Sequence, residues 1–264
     1  MTNIGLALSG GGARALQHIG VLQALEEFHI FPKAISGASA GAIIGSLYAE
    51  GYSPKEMIDI FLKTKIFQMF RFSFKTSGLL NIEVLDGICK QYFKENSFEH
   101  LRIPLFVNAT DIFDHKTHYF SQGELFKPLQ ASSCIPVIFK PVFFQERNWV
   151  DGGLLNNLPV EPLLNSCQTI IGSTCNPVVN ITKVPKMNKM LERTFQILVN
   201  ANVAPQKKHC QIWIEPPLLS KFTIYDFGKV KEIAKVAYEY TKNILENNLV
   251  LTSENLIMKP LEQA

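Results

Sequence analysis

The chain has 264 residues, of which 47% are hydrophobic and 19% are charged, and its formal net charge is +3. This composition is typical of a globular protein with a large core and excludes a disordered chain. Its lysines and arginines form no basic block, so we expect no nucleic-acid partner, while a mild attraction to anionic lipid surfaces stays open.

Cysteine usage and the N-terminus indicate the compartment. The cysteines number five and none stands in a C-x-x-C spacing, which favours reduced thiols over disulfides. The N-terminus has no basic region before an apolar stretch, and no segment approaches the roughly 18–20 apolar residues of a membrane span. We therefore expect a cytoplasmic protein, with peripheral membrane contact left open.

The first part of the chain alternates short apolar runs with longer helical periods. The apolar runs predict strands at 4–8 and 34–36. The helical periods predict one helix through 16–25, a second that starts after Ser39, and a third that begins at Ser53-Pro54.

The remaining elements continue this alternation. We predict, in chain order, a helix at 82–94, a strand at 105–109 with 118–120 beside it, and a hairpin at 142–150 with its turn near Glu146-Arg147. Strands at 170–175 and 212–215 and a closing helix at 229–249 follow. Strands separated by helices form βαβ units, so the pattern predicts an α/β fold with a mainly parallel sheet. We find no linker and expect a single domain over residues 1–264.

The pentapeptide Gly37-Ala38-Ser39-Ala40-Gly41 is a G-x-S-x-G motif between a predicted strand and a predicted helix. A serine on such a tight turn needs small neighbours, and its hydroxyl lies at a helix N-terminus, where free N–H groups favour negative charge. The motif therefore predicts a nucleophilic Ser39. The alternative is a Gly/Ser turn that feeds a tightly packed helix.

A second glycine-rich turn, Ser9-Gly10-Gly11-Gly12-Ala13-Arg14, also joins a strand to a helix. One interpretation is a dinucleotide-binding loop, but the second strand ends without the acidic residue that holds the ribose. The other is an oxyanion hole, in which backbone amides bind the negative oxygen of a tetrahedral intermediate. We favour the oxyanion hole, because parallel neighbouring strands would bring this loop beside Ser39.

A third motif, Asp151-Gly152-Gly153, follows an apolar strand. The two glycines leave the carboxylate little covered, which suits a group that projects into a cleft. An ordinary Asp-Gly turn is the alternative interpretation.

Together these motifs resemble those of the patatin-like phospholipase family, in its bacterial type with a single patatin-like domain. The order of the motifs matches, and the segment 131–142 resembles the family's stretch before its catalytic aspartate. The resemblance covers about residues 4–175, and the C-terminal part is expected to complete the sheet and the helical layers. Ala15 departs from the glycine that usually ends the glycine-rich motif. The resemblance implies a three-layer α/β/α fold.

The family's Ser–Asp dyad, carried onto this chain, implies that Ser39 attacks an ester carbonyl and that Asp151 accepts its proton. Arg14 matches the family's basic position after the glycines, where we expect it to support the loop. The other implied residues are the oxyanion donors Gly10, Gly11, Gly12 and Ala40, and the motif glycines Gly37, Gly41, Gly152 and Gly153. The resemblance implies no cofactor and no metal.

Other candidate residues received a different interpretation. His209 follows the motifs, as in the Ser–Asp–His order of the α/β-hydrolase fold, but that fold has several strands before its nucleophile and only two precede Ser39 here. His209 follows two lysines just before a predicted strand, so we expect it at the surface. His115 and His118 lie in a predicted strand turn, where their spacing does not put both rings on one face, so we expect no metal site there. The aromatic stretch 67–74 could line an acyl pocket, touch a membrane, or pack in the core.

These observations predict a serine hydrolase that cleaves lipid acyl esters such as phospholipids, lysophospholipids or acylglycerols. A lipid acyltransferase would use the same dyad, and a non-catalytic lipid-binding regulatory protein would retain only the fold. The sequence does not indicate an oligomeric state.

Overall fold

The computed structural model describes residues 3–64, 82, 84–136, 138–178, 187–252 and 255–258. The aromatic stretch 67–74 therefore lies outside the described residues, as do Val137 and part of the predicted helix at 82–94.

A central sheet holds the first eight strands. They are β1 Ile4–Leu8, β2 Ala34–Gly37, β3 Leu105–Asp111, β4 Thr117–Phe120, β5 Val142–Phe144, β6 Arg147–Asp151, β7 Thr169–Ser173 and β8 Ile212–Ile214. The order is β5-β6-β3-β2-β1-β7-β8, with β4 paired to β3. The strands β3, β2, β1, β7 and β8 run parallel, and β4, β5 and β6 pair antiparallel. β9 Leu249–Thr252 and β10 Asn255–Met258 form a separate antiparallel pair.

In chain order, the α-helices of the described residues are α1 Gln17–Glu27, α2 Ala40–Glu50, α3 Pro54–Lys63, α4 Val84–Tyr92, α5 Phe126–Ser132, α6 Met187–Val203 and α7 Val230–Asn248. A 3-10 turn, Gly12–Leu16, precedes α1. The last long helix, α7, packs against α1, so the C-terminal part of the chain covers the N-terminal part.

Both faces of the sheet are covered. Alternate side chains of a strand point to opposite faces, and β1 divides its residues accordingly. Leu6 and Leu8 lie in the larger hydrophobic cluster, whereas Ala7 belongs to a second cluster that includes Leu158 and Val203. Burial on both faces explains why β1 is apolar throughout, as strands of parallel sheets are.

The predicted α/β fold with a mainly parallel sheet is confirmed. The hairpin turn falls on Gln145 and Glu146, which both have positive φ, one residue before the predicted position. Two helices were not predicted: α5, which contains Pro128, and α6.

Candidate active site

Ser39 lies between the end of β2 and the start of α2. Its backbone has φ 52° and ψ −127°, a conformation that side-chain-bearing residues rarely adopt. The strained turn lifts the side chain out of the strand and presents it at the N-terminus of α2. Backbone strain at a residue of this kind points to a functional site.

The glycines of the pentapeptide are required by close packing. A Cβ on Gly37 would lie 2.7 Å from the Cα of Ala42, and one on Gly41 would lie 2.5 Å from the carbonyl oxygen of Ser9. Both neighbours are backbone atoms, which cannot move aside as a flexible side chain does. The motif is therefore a steric requirement of the turn that holds Ser39.

Strand register brings Asp151 to Ser39 across 112 positions of sequence. β3 pairs with β2 through Val107, opposite Gly37, and with β6 through Ala109, opposite Asp151. The ends of β2 and β6 are thus set two residues apart along β3. The Ser39 Oγ donates a hydrogen bond of 2.7 Å to Asp151 Oδ2.

Asp151 is 2% exposed and is held on several sides. The Gly153 N–H donates to Oδ1 at 2.8 Å, and the Asp151 N–H donates to the carbonyl of Cys134 at 2.9 Å. Burial raises the pKa of Asp151 to about 6, against the lowering effect of the hydrogen bonds from Ser39 and Gly153. The carboxyl group is therefore a much stronger base than a solvated aspartate and is still largely ionised at neutral pH.

The two glycines after Asp151 also fill places that have no room for a side chain. A Cβ on Gly152 would lie 2.5 Å from Asn108 Oδ1, and one on Gly153 would lie 2.5 Å from Asn157 Oδ1. The Asn108 side chain in turn donates to the carbonyl of Asn156 at 2.7 Å. The turn after β6 is thus fixed from outside, and Asp151 with it.

The glycine-rich loop lies beside Ser39, because β1 and β2 are neighbours with Leu8 opposite Gly37. A Cβ on Gly10 would lie 2.9 Å from the Cβ of Ser39. Gly12 begins the 3-10 turn and Ala40 begins α2, and the first N–H groups of a helix have no intrahelical acceptor. Within the described part of the chain, no acceptor bonds the N–H of Gly11, Gly12 or Ala40.

One expected oxyanion donor differs from the others. The Gly10 N–H donates to the carbonyl of Asn157 at 3.3 Å, so it is already engaged. Of the four expected donors, those whose N–H has no acceptor among the described residues are Gly11, Gly12 and Ala40, and the role of all four stays a prediction. The sequence could not indicate this bond, since the acceptor is 147 residues away.

Arg14 is 6% exposed and points away from the serine toward the C-terminal part of the chain. Its Nε donates to the carbonyl of Phe222 at 2.7 Å. The Gln196 side-chain amide, oriented with its oxygen toward the guanidinium, accepts from Arg14 Nη2 at 3.1 Å. Arg14 thus links the turn after the glycines to α6 and to the segment before α7.

Two polar residues of the site were not identified as site residues from the sequence. Ser132 Oγ accepts the Ser39 N–H at 2.8 Å. His18 is fully buried beneath the glycine-rich loop, with Nε2 at 2.9 Å from the Ser9 carbonyl oxygen and Nδ1 at 2.9 Å from Ser173 Oγ. Burial lowers the pKa of His18 to about 4, so the ring is neutral and its Nε2–H donates to the carbonyl.

Two cavities meet at Ser39 and Gly12. The first is almost wholly apolar, and its lining includes Leu16, Ile43, Phe61, Leu85, Ile135 and Phe139. The second also contacts Asp151, and its lining includes the polar residues Asn157, Asn176, Gln196 and Tyr225. The serine therefore lies between two mainly apolar spaces, the second of which also has amide side chains in its wall, and such spaces suit a largely apolar ester.

The histidines set aside in the sequence lie elsewhere. His209 ends a 3-10 turn, Ala204–His209, before β8 and lines neither cavity. His118 groups with Asp111 and Asp114, without His115, but Arg147 Nη1 already donates to both carboxylates at 2.6 and 2.9 Å. These residues form an ion-pair cluster around a guanidinium.

Among the residues that the structure describes, no helix combines the length and the apolar character needed to cross a bilayer.

Comparisons with known proteins were made for sequence and fold. The lysophospholipase NTE1 of Candida glabrata is 30% identical over 92% of this chain, and that of Saccharomyces cerevisiae is 29% identical over 92%. The chain spans 16% of the length of each of these relatives. VipD of Legionella pneumophila shares the fold, with a TM-score of 0.53 and 16% identity over 93% of this chain and 67% of VipD.

The profile of the patatin-like phospholipase family matches residues 6–164, more than half of the chain. The match includes the glycine-rich loop, the G-x-S-x-G turn and the Asp151 motif. It confirms the predicted family and the predicted enzyme class, a carboxylic ester hydrolase, whereas the roles of individual residues stay predictions. This chain belongs to the patatin-like phospholipase family.

Proposed function

We propose that this chain hydrolyses lipid acyl esters with Ser39 as nucleophile and Asp151 as base. The observation that carries the proposal is the 2.7 Å hydrogen bond from Ser39 Oγ to Asp151 Oδ2. A serine hydroxyl is a weak nucleophile unless an adjacent base takes its proton. Here the strained turn presents the hydroxyl, and burial makes the aspartate basic enough to accept the proton.

In the first half of the reaction, Ser39 Oγ attacks the ester carbonyl carbon while its proton passes to Asp151 Oδ2. The carbonyl oxygen becomes an oxyanion, which in this proposal accepts hydrogen bonds from the N–H groups of Gly11, Gly12 and Ala40. Each such donor contributes about 3–4 kcal/mol to the stability of the transition state. Asp151 then returns the proton to the alcohol oxygen as the ester bond breaks, which leaves an acyl group on Ser39.

In the second half, water replaces the alcohol. Asp151 accepts a proton from the water, whose oxygen attacks the acyl carbon and forms a second oxyanion at the same amides. Collapse of this intermediate releases the fatty acid and returns the proton to Ser39 Oγ. The same two residues therefore serve both halves, and no histidine is required.

The two cavities support a lipid substrate. The first cavity, with Leu16, Ile43 and Phe61 in its wall, suits an acyl chain, and the second cavity, which also contacts Asp151, suits the alcohol part of the ester. The relatives in yeasts are named lysophospholipases, so a lysophospholipid is the first substrate to test. Such lipids form micelles or lie in membranes, which makes transient contact with a lipid surface part of the proposal.

The proposal is tested by fatty-acid release from lysophosphatidylcholine, diacyl phosphatidylcholine and monoacylglycerol. We expect the wild-type protein to release acid and Ser39→Ala to lose at least about 10³-fold of that rate. Ser46→Ala is the matched control, because Ser46 lies in the same helix and donates to its own turn at Ile43. Equal rates of fatty-acid release by the wild type and Ser39→Ala would contradict the proposal.

The same assay separates hydrolysis from acyl transfer. Free fatty acid should remain the main product when glycerol or a lysophospholipid acceptor is added in excess. A new acylated product that replaces the free acid would instead assign the chain to the acyltransferases.

A further inference from the structure

The carbonyl of Gly10 is held by an unusual number of donors. Asn176 Nδ2 donates to it at 2.7 Å, Cys175 Sγ at 3.1 Å and Asn157 Nδ2 at 3.2 Å. A backbone carbonyl has two lone pairs, so this acceptor is fully engaged. All three donors belong to buried residues.

The orientation of this carbonyl decides where the next amide points. The peptide unit between Gly10 and Gly11 is planar and trans, so its C=O and N–H point in opposite directions. Donors that fix the Gly10 oxygen on one side therefore aim the Gly11 N–H to the opposite side. Gly11 lines the cavity that contains Ser39, and no acceptor among the described residues bonds its N–H. Glycine imposes little conformational preference of its own, so the orientation has to come from these bonds.

The neighbouring carbonyls of the loop are held from within the N-terminal segment. His18 lies at hydrogen-bond distance from the Ser9 oxygen, and the Arg14 N–H donates to the Gly11 oxygen at 3.2 Å. Gly10 differs, because its donors come from the loops after β6 and β7. Since β7 is parallel to β1, with Ser173 opposite Leu8, the segment after β7 lies directly against the glycine-rich loop.

Asn176 makes the shortest of the three bonds and is 4% exposed. Its side chain also packs on Gly11, where an added Cβ would lie 3.1 Å from Asn176 Oδ1. The residue lies beyond the region 6–164 that matches the family profile. Neither the motifs nor the family match assigns it a role.

We propose that Asn176 is a positioning residue that holds the Gly10 carbonyl away from the active site and so aims the Gly11 N–H at the oxyanion. The inference rests on the proposed function, because it concerns the same ester hydrolysis. Loss of the Asn176 donor frees the Gly10–Gly11 peptide to rotate and misaligns one of the amides. The substrate's ground state does not depend on that amide, whereas the tetrahedral transition state does.

The test compares Asn176→Ala with wild type in hydrolysis of a p-nitrophenyl acyl ester. We expect kcat to fall by about 10- to 100-fold with little change in KM, since loss of a whole oxyanion donor costs about 10²–10³-fold. Two inhibitors separate positioning from a merely structural effect. The affinity of Asn176→Ala for an alkyl trifluoromethyl ketone, which forms a tetrahedral adduct, should fall by the same factor as kcat/KM. Its affinity for an ether analogue of the substrate should equal that of the wild type.

Two further variants serve as controls. Asn176→Asp keeps the size of the side chain but replaces the donor with an acceptor, so it should lose at least as much activity as Asn176→Ala. Asn96→Ala removes a different asparagine that holds backbone amides, those of Leu125 and Phe126, and should keep wild-type activity per folded molecule. Circular dichroism and thermal unfolding establish the folded fraction of each variant.

The outcomes are distinguishable. Wild-type kcat in folded Asn176→Ala, or equal weakening of both inhibitors, would overturn the inference and leave the proposed function standing. A wild-type protein that cleaves no ester, or cleaves it as fast as Ser39→Ala does, would overturn the proposed function itself. If Asn176→Ala does not fold, wild-type activity in folded Asn176→Asp would also overturn the inference.

Discussion

Two aspartates at the ends of paired strands show how one side chain is given opposite properties. Asp111 ends β3 and Asp151 ends β6, and each is 2% exposed. The strands are antiparallel neighbours, with Ala109 opposite Asp151 and Asp111 opposite Trp149. Solvent exposure and strand position are therefore closely matched, whereas the two carboxylates differ in how deeply they are buried and in their partners.

Burial acts to raise the pKa of both groups, but different bonds oppose it. At Asp111 the N–H of Phe113, at 2.8 Å, and the guanidinium of Arg147, at 2.6 Å, outweigh burial and hold the pKa below its usual range. Asp151 has the Ser39 hydroxyl and one amide N–H, and its pKa stays raised to about 6. The Arg147 guanidinium beside Asp111 keeps this carboxylate ionised as a structural anion. No cation is among the described partners of Asp151, which therefore remains a base.

The largest expected effect comes from making the same substitution at both positions. Asp151→Asn keeps the shape of the side chain but removes the base, so kcat/KM for a lipid ester should fall by about 10³-fold or more. Asp111→Asn should keep wild-type kcat/KM per folded molecule, because Asp111 bonds the turn of residues 113–114 and Arg147. Steady-state rates, corrected for the folded fraction, measure kcat/KM of both variants. Comparable losses in the two variants would contradict the different roles of Asp151 and Asp111.

The pH dependence of the rate should report Asp151 alone. The ionised form accepts the serine proton, so kcat/KM should rise about tenfold per pH unit below about pH 6 and level off above it. Asp111 titrates below this range and should leave no inflection of its own. A profile with its inflection near pH 4, measured with an uncharged ester, would show that Asp151 is not the desolvated base described here.

Stability should respond to the two substitutions with opposite signs. The folded-state pKa of Asp151 lies above its unfolded value of 3.8, so its ionisation lowers the free energy of unfolding as pH rises through about 4 to 6. Asp151→Asn should therefore raise that free energy at neutral pH, by up to on the order of 3 kcal/mol.

At Asp111 the folded-state pKa is depressed, so its stabilising contribution is present at neutral pH and is lost as pH falls through that value. Asp111→Asn should lower the free energy of unfolding by about 1–3 kcal/mol through its weakened bond to Arg147. Urea unfolding at pH 7 measures both variants, and a shift of the same sign in the two would contradict the assigned environments.

The smallest expected effect lies at an exposed position of α4. Gly87 is in this helix, and a Cβ there would meet no atom of the described residues within 4 Å. Gly87→Ala should raise the free energy of unfolding by about 0.5–1 kcal/mol, because alanine loses less conformational entropy in a helix. The rate and its pH profile should stay unchanged, which makes this variant a reference for stability changes without catalytic consequence.

Much of the site could be predicted because its motifs are local. The glycines around Ser39 reflect contacts with backbone atoms that any such turn makes, and β1 and β2 are apolar runs with clear ends. Their order along the chain sufficed to place the glycine-rich loop beside the serine. The family resemblance then supplied Asp151, which the sequence alone could not distinguish from an aspartate in an ordinary turn.

The parts that could not be predicted depend on distant contacts. The bond from the Gly10 N–H to Asn157 and the bond from Asn176 to the Gly10 carbonyl join residues 147 and 166 positions apart. The different basicity of Asp111 and Asp151 follows from the deeper burial of Asp151 and from the Phe113 N–H and the Arg147 guanidinium beside Asp111, none of which the sequence indicates. The short helix α5, which positions Ser132 against Ser39, has too few residues for a periodic signal.

The most direct test of the Ser39–Asp151 pair is covalent labelling by an alkyl fluorophosphonate, with the modified residue located by peptide mass mapping. We expect one label per chain on Ser39, at a rate that falls below about pH 6, and little labelling of Asp151→Asn under the same conditions. A label on another residue, or labelling of Asp151→Asn at the wild-type rate, would contradict this expectation.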